Sequence, residues 1–135
     1  MSGANYIEDA LLDHVTGKTA YTGGGLYVGL CTAVTDAETP SFTEVTGGGY
    51  ARQSVPASSW GASSDGTTTT TADIQFPVAT ASYGTVSHIL LASGTGAENS
   101  GGGNVVLIQE LGTHKTVDTN DQMVINSGNL SISLD

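Results

Sequence analysis

Positive charge is scarce in this chain. Lys18, Arg52 and Lys115 are its only certain cations, against 13 acidic residues, so the formal charge at pH 7 is −10. Three cations give no footprint for a phosphate backbone, which excludes nucleic acid as a partner. The same shortage excludes attraction to an anionic membrane surface. Apolar runs are short too: the longest, such as Ile89 to Ala92 and Val105 to Ile108, fall far below the ~20 residues that cross a bilayer. The N-terminus has no basic start followed by an apolar core, so it is read as carrying no secretory signal. A single cysteine, Cys31, excludes an internal disulfide framework and any zinc site built from paired cysteines. Aromatic residues are few as well: Phe42, Phe76, Trp60 and five tyrosines. The core is thin, and support from neighbouring copies or from a larger surface is expected.

What the chain has instead is small residues. Gly, Thr and Ser fill 52 of 135 positions, while Leu, Ile, Val and Phe fill 29. That apolar share is just above the level of a disordered chain. The apolar residues come in bursts of four to eight, so the chain reads as folded, with strands separated by turns. A length of 135 residues allows one domain.

The one helical period lies at the start. Ile7, Ala10, Leu11, His14 and Val15 share a stripe, Asn5 with Glu8 resembles a capping box, and Gly17 is a stop signal; a helix is predicted over 5–17. From Leu26 the period becomes two. Leu26, Val28 and Leu30 alternate with Tyr27, Gly29 and Cys31, and the polar stretch from Asp36 to Phe42 reads as a loop. Further strands are predicted for Tyr50 to Val55, Ala72 to Val78, Thr85 to Ala92, Val105 to Leu111, Gln122 to Asn126 and Leu130 to Leu134. Pro77 puts the Ala72 to Val78 strand at a sheet edge or ends it. Ser58 to Thr70 reads as an exposed loop around Trp60, and Gly94 to Gly103 as a glycine-rich turn. With no helices between strands, the expected fold is mainly β. It is a single antiparallel β-sandwich or jelly-roll-like domain of about seven strands over 26–135, behind the short helix. No internal repeat or heptad is present to build a fibrous shaft.

Chemistry-bearing motifs are sparse. No Gly-x-Ser-x-Gly elbow occurs, Cys31 reads as a buried structural thiol, and His14, His88 and His114 read as structural histidines, so an enzyme is not expected. Asp118-Thr119-Asn120-Asp121 and Asp36-Ala37-Glu38 offer closely spaced oxygens, but neither continues into a calcium loop. Gly23 to Gly25, Gly47 to Gly49 and Gly101 to Gly103 lack the lysine and helix of a phosphate loop and read as turns or hinges. No cofactor is implied. Trp60 reads equally as an interface anchor, a sugar-stacking platform or a cap on a small core. Arg52, the only arginine, is suited to a salt bridge within the domain or to a neighbouring copy. Tyr50, Arg52, Gln53 and Trp60 are the candidate interface residues, because they lie near Gly-rich or flexible segments.

Several segments resemble one known group. Glu44-Val45-Thr46-Gly47-Gly48-Gly49-Tyr50-Ala51-Arg52-Gln53 resembles a stretch typical of small virion proteins of tailed bacteriophages. So do Leu26-Tyr27-Val28-Gly29-Leu30, Phe76-Pro77-Val78-Ala79-Thr80 with Tyr83 to His88, and the ending from Lys115 through Asp135. Members are often labelled tail fibre proteins. The resemblance implies a virion structural protein and carries over no catalytic residue. Size, charge and the missing shaft favour a capsid decoration (cement) protein, bound to the major capsid protein or other virion proteins as a homo-oligomer, with a trimer favoured. The alternative is a tail fibre or tail-tip protein that attaches to host-surface glycan. A third reading is a calcium-dependent carbohydrate module.

Overall fold

The computed structural model describes residues 2–95 and 104–134. Its central sheet is antiparallel throughout and is built on the strongest apolar alternations in the sequence. Strand β1 (Ser2–Gly3) leads into helix α1 (Asn5–Val15), and β2 (Leu26–Asp36) follows. Next come β3 (Ser41–Glu44), β4 (Gln53–Val55), a 3-10 turn (Ala57–Ser59) and β5 (Thr67–Thr69). The chain continues through β6 (Ile74–Gln75), β7 (Gly84–Ala92), β8 (Val105–Val117), β9 (Val124–Ile125) and β10 (Ser131–Ser133). The strand order is β1-β8-β7-β2-β3, with β4 also pairing β2. Two ribbons, β5 with β10 and β6 with β9, stand apart from this sheet.

The ribbons form the second layer. Val28, Leu30, Val86, Ile89, Leu91 and Val117 of the sheet pack in one core with Ile74, Phe76 and Leu130 of the ribbon layer. The fold is therefore mainly β, antiparallel and sandwich-like, as expected, with ten strands of 2 to 13 residues among the described residues where about seven are expected. Strand β7 is central, and apolar residues occupy both of its faces: Leu90 and Ala92 join Cys31, Val105 and Ile108 in a smaller cluster on the side away from the ribbons.

The boundaries differ from the sequence reading where tertiary contacts outweigh local pattern. Helix α1 begins at Ala4, whose extended backbone caps it without any side-chain bond, so the Asn5–Glu8 capping box does not form. The stop signal does: Gly17 is left-handed at φ 80°, and Lys18 N–H donates to Asp13 O at 2.8 Å, a Schellman closure. The expected helical stripe is only half used. Ile7 is buried, whereas His14 and Val15 are exposed. Strand β2 runs on to Asp36 and pairs with β3, so Phe42 lies in a hairpin strand and not in a loop. Of the stretch Ala72 to Val78, only Ile74–Gln75 pairs; Phe76 is fully buried, while Val78 is exposed. The segment around Trp60 is ordered by the bridges Trp60–Thr70 and Ser64–Thr67. Most of the Gly94 to Gly103 stretch, with its glycine triplet, lies outside the described residues.

One position in β2 tolerates no side chain. A Cβ on Gly29 would sit 2.8 Å from Glu44 Oε2 and 3.0 Å from the Leu90 side chain. Overpacking at such a site costs roughly 1–3 kcal/mol. Gly29→Ala is therefore expected to lower the unfolding free energy by that margin, read in urea melts as a lower midpoint at unchanged m-value.

Candidate interaction site

Strand β2 has a gap on one edge. Strand β4 pairs with Leu26 to Val28 and β3 pairs from Cys31 onward, so Gly29 and Leu30 have no ladder partner on that side. Leu30 is fully buried, and buried backbone groups must find partners elsewhere. The Leu30 carbonyl accepts the Val45 N–H at 3.0 Å. Its own N–H donates to the Tyr50 hydroxyl at 2.9 Å.

That hydroxyl belongs to a larger knot. Tyr50 Oη donates to Glu44 Oε2 at 2.6 Å. Arg52 grips the same carboxylate with both edges of its fork, Nε to Oε2 at 2.9 Å and Nη2 to Oε1 at 2.8 Å. Its Nη1 donates to Gly94 O at 2.9 Å. Bidentate pairs of this kind are directional as well as strong. The Tyr50 ring stacks on Phe76 with centroids 6.1 Å apart and meets Tyr83 edge-on at 5.8 Å. One residue thus ties the polar knot to the ribbon-side core.

The knot shifts the groups around it. Burial works against the Arg52 charge, but the hydrogen bonds and charge of Glu44 outweigh it and hold the guanidinium above its ordinary value. Burial, then the bond to Glu44, pushes the Tyr50 phenol up. Cys31, free and buried, is pushed up to about 12 by burial first and Glu44 second, with Arg52 opposing. It is held as an inert thiol, as the sequence suggested.

The chain reaches this geometry through its glycine triplet. Gly47, Gly48 and Gly49 have φ of 74°, 63° and 78°, and a Cβ on Gly48 would sit 2.6 Å from Ala81 O. Only glycine fits there. The turn returns Tyr50 and Arg52 alongside Glu44.

The structure therefore brings Tyr50 and Arg52 together, and it is Glu44 that joins them. Gln53 sits beside them on β4, half-exposed, its side-chain amide donating to Ala51 O at 2.8 Å. Trp60 is elsewhere, half-buried against the ribbon-side core. The acidic turns use their carboxylates on their own backbone: Asp36 Oδ1 accepts from Glu38 N–H at 2.9 Å, and Asp121 Oδ2 from Asp118 N–H at 2.9 Å. Among the described residues, no group of three or more His, Cys, Asp or Glu could hold a metal ion. His88 Nδ1 lies 2.7 Å from Ser87 Oγ, and His114 Nε2 lies 3.2 Å from Glu110 Oε1.

Two features escaped the sequence reading. Glu44 is one carboxylate among thirteen acidic residues, and nothing local marks it; only the closing of the turn does. The other is an apolar groove of about 450 Å³ between α1, the Gly23 to Gly25 loop and β10. Its lining comes from both ends of the sequence, so no single stretch announces it.

Among protein families, the model described as podophage GP4 fiber I protein gp80 matches residues 2–133 of this chain. No curated protein matches it.

Removing Arg52 leaves the half-buried Glu44 carboxylate without its charged donor, at a cost of roughly 1.5–3 kcal/mol. Arg52→Met is expected to destabilise by that amount in urea melts, and Tyr50→Phe by roughly 1–3 kcal/mol because Leu30 N–H loses its acceptor. Alkaline pH gives a separate check. Cys31 keeps its proton in the folded state above the ordinary value of 9.0. Its contribution is therefore full below about pH 9 and is lost as pH rises toward 12. Tyr50, raised from 10.0, acts in the same direction, so the urea midpoint is expected to fall progressively above pH 9.

Proposed function

The chain belongs to the podophage GP4 fiber I protein family and is a phage virion structural protein; on that premise we propose that it is a building subunit of the fibre. The observation that carries this reading is the span of the match. Residues 2–133 include α1, the central sheet and the closing ribbon, so the unit the family shares is the whole fold. The role is mechanical. A bidentate buried pair and an interlocked core suit a part that must keep its shape while neighbours pull on it, and the reading needs no cofactor and no catalytic step.

A second reading, capsid decoration, is favoured by two observations: the sequence contains no repeat from which a shaft could grow, and it carries a charge of −10. A domain displayed in many copies on a head fits that description. In either place the thin core is completed by neighbours, and homo-oligomers, with a trimer favoured, belong to both readings.

Location in the virion separates the two. Gold-labelled antibody against the purified chain is expected to decorate the fibres at the tail of intact virions. Label spread over the head instead would replace the fibre reading with decoration. Adsorption to host cells adds a functional measure: if Trp60 stacks on a surface glycan, Trp60→Ala virions bind fewer cells at unchanged fibre content.

A further inference from the structure

The groove between α1 and β10 lies beside an open strand edge. In the ribbon, Thr70 N–H donates to Leu130 O and Leu134 N–H donates to Gly66 O, and Ile132 faces Thr68 in the same register. Residues 130, 132 and 134 thus spend their backbone groups on the β5 side. By the alternation of an antiparallel ladder, Ser131 and Ser133 turn theirs the other way. No strand pairs there among the described residues. Ser133 lines the groove and no residue of β5 does, so the free edge of β10 is the edge that faces the groove.

The groove itself is apolar. Ile7, Leu11, Leu26, Leu107, Ile132 and Leu134 line it. Leu134 is 66% exposed. An uncovered leucine in an apolar groove beside an open edge marks an interaction surface. The rim is acidic: Glu8 lines the groove, and Asp9 and Asp13 of the same helix line the neighbouring hollow.

We infer that this groove receives an extended segment of a different virion protein, which adds as a strand to the free edge of β10, sets alternate apolar side chains into the groove and brings a lysine or arginine against Glu8. Backbone bonds to Ser131 and Ser133 would hold it, and the groove would choose its side chains, the division of labour usual in strand addition. Charge argues against a second copy as the occupant. The chain has three cations in all. The Arg52 guanidinium is committed to Glu44, while the backbones of Lys18, at the helix end, and Lys115, in β8 opposite Val86, are already held in the fold. Among the described residues, no cation lies on an extended segment that is detached from the fold and able to enter the groove of a second copy. The inference holds whether the chain sits in the tail or on the head.

The test is a photo-cross-linking residue, p-benzoylphenylalanine, at position 134 of the chain in assembled virions, with the adduct sequenced by mass spectrometry. The expected product is a peptide of another virion protein with alternating apolar residues and an adjacent lysine or arginine. Ser133→Pro removes the outward N–H and leaves the bonds of residues 130, 132 and 134 to β5 in place, so it is expected to lower the cross-link yield about tenfold with little change in the melting temperature of the purified chain. Glu8→Lys, on the exposed helix surface, is expected to lower the yield as well, and it guards against a folding defect in the proline variant. An adduct with a second copy of this chain, no adduct at all, or a yield that neither substitution alters would overturn the inference.

Discussion

The fold depends on how a buried strand edge is satisfied where its ladder is interrupted. Strands β3 and β4 share one edge of β2 and leave Gly29 and Leu30 between them. Water cannot reach Leu30, which is fully buried, so the chain supplies a phenol in its place. That phenol needs an acceptor, the acceptor is a carboxylate, and a carboxylate drawn largely out of water needs a cation. Tyr50, Glu44 and Arg52 follow from this one requirement. So does Gly29, because Glu44 Oε2 occupies the space a side chain would take. The glycine triplet is needed to turn the chain back within a few residues.

The arrangement also explains how so thin a core keeps one structure. A buried pair is weak as a source of net stability, since desolvation offsets much of its attraction. Its value here is directional: it fixes which strand borders which part of β2. Tyr50 then passes that constraint to the ribbon layer through Phe76 and Tyr83. The small residues, so numerous in the sequence, fall in turns and on exposed strand faces such as Thr113 and Thr116 of β8.

Much of this was legible in the sequence and some was not, for physical reasons. Strands β2, β7 and β8 were visible because each buries a long alternating or continuous apolar run. The glycine triplet, Tyr50 and Arg52 stood out because glycine runs and a lone arginine are unusual in an acidic chain. The ribbons are shorter than their alternation predicts. Strands of two or three residues are set by what they pack against, so Ile74 and Phe76 keep the alternation while Val78, beyond Pro77, does not. The capping box failed because the backbone before α1 is already held by Ala4 N–H to Val106 O and Asn5 N–H to Glu38 O. Glu44 and the groove could not be read at all, since both arise from segments that meet only in the folded chain.

The central claim is that Tyr50 and its carboxylate complete the interrupted edge of β2. Native-state amide hydrogen exchange at Leu30 tests it most directly. The account predicts that the Leu30 amide is as protected as those of Val28 and Leu90, which lie in the paired ladder, and exchanges only on global unfolding. Rapid exchange at Leu30 beside slow exchange at its neighbours would contradict it.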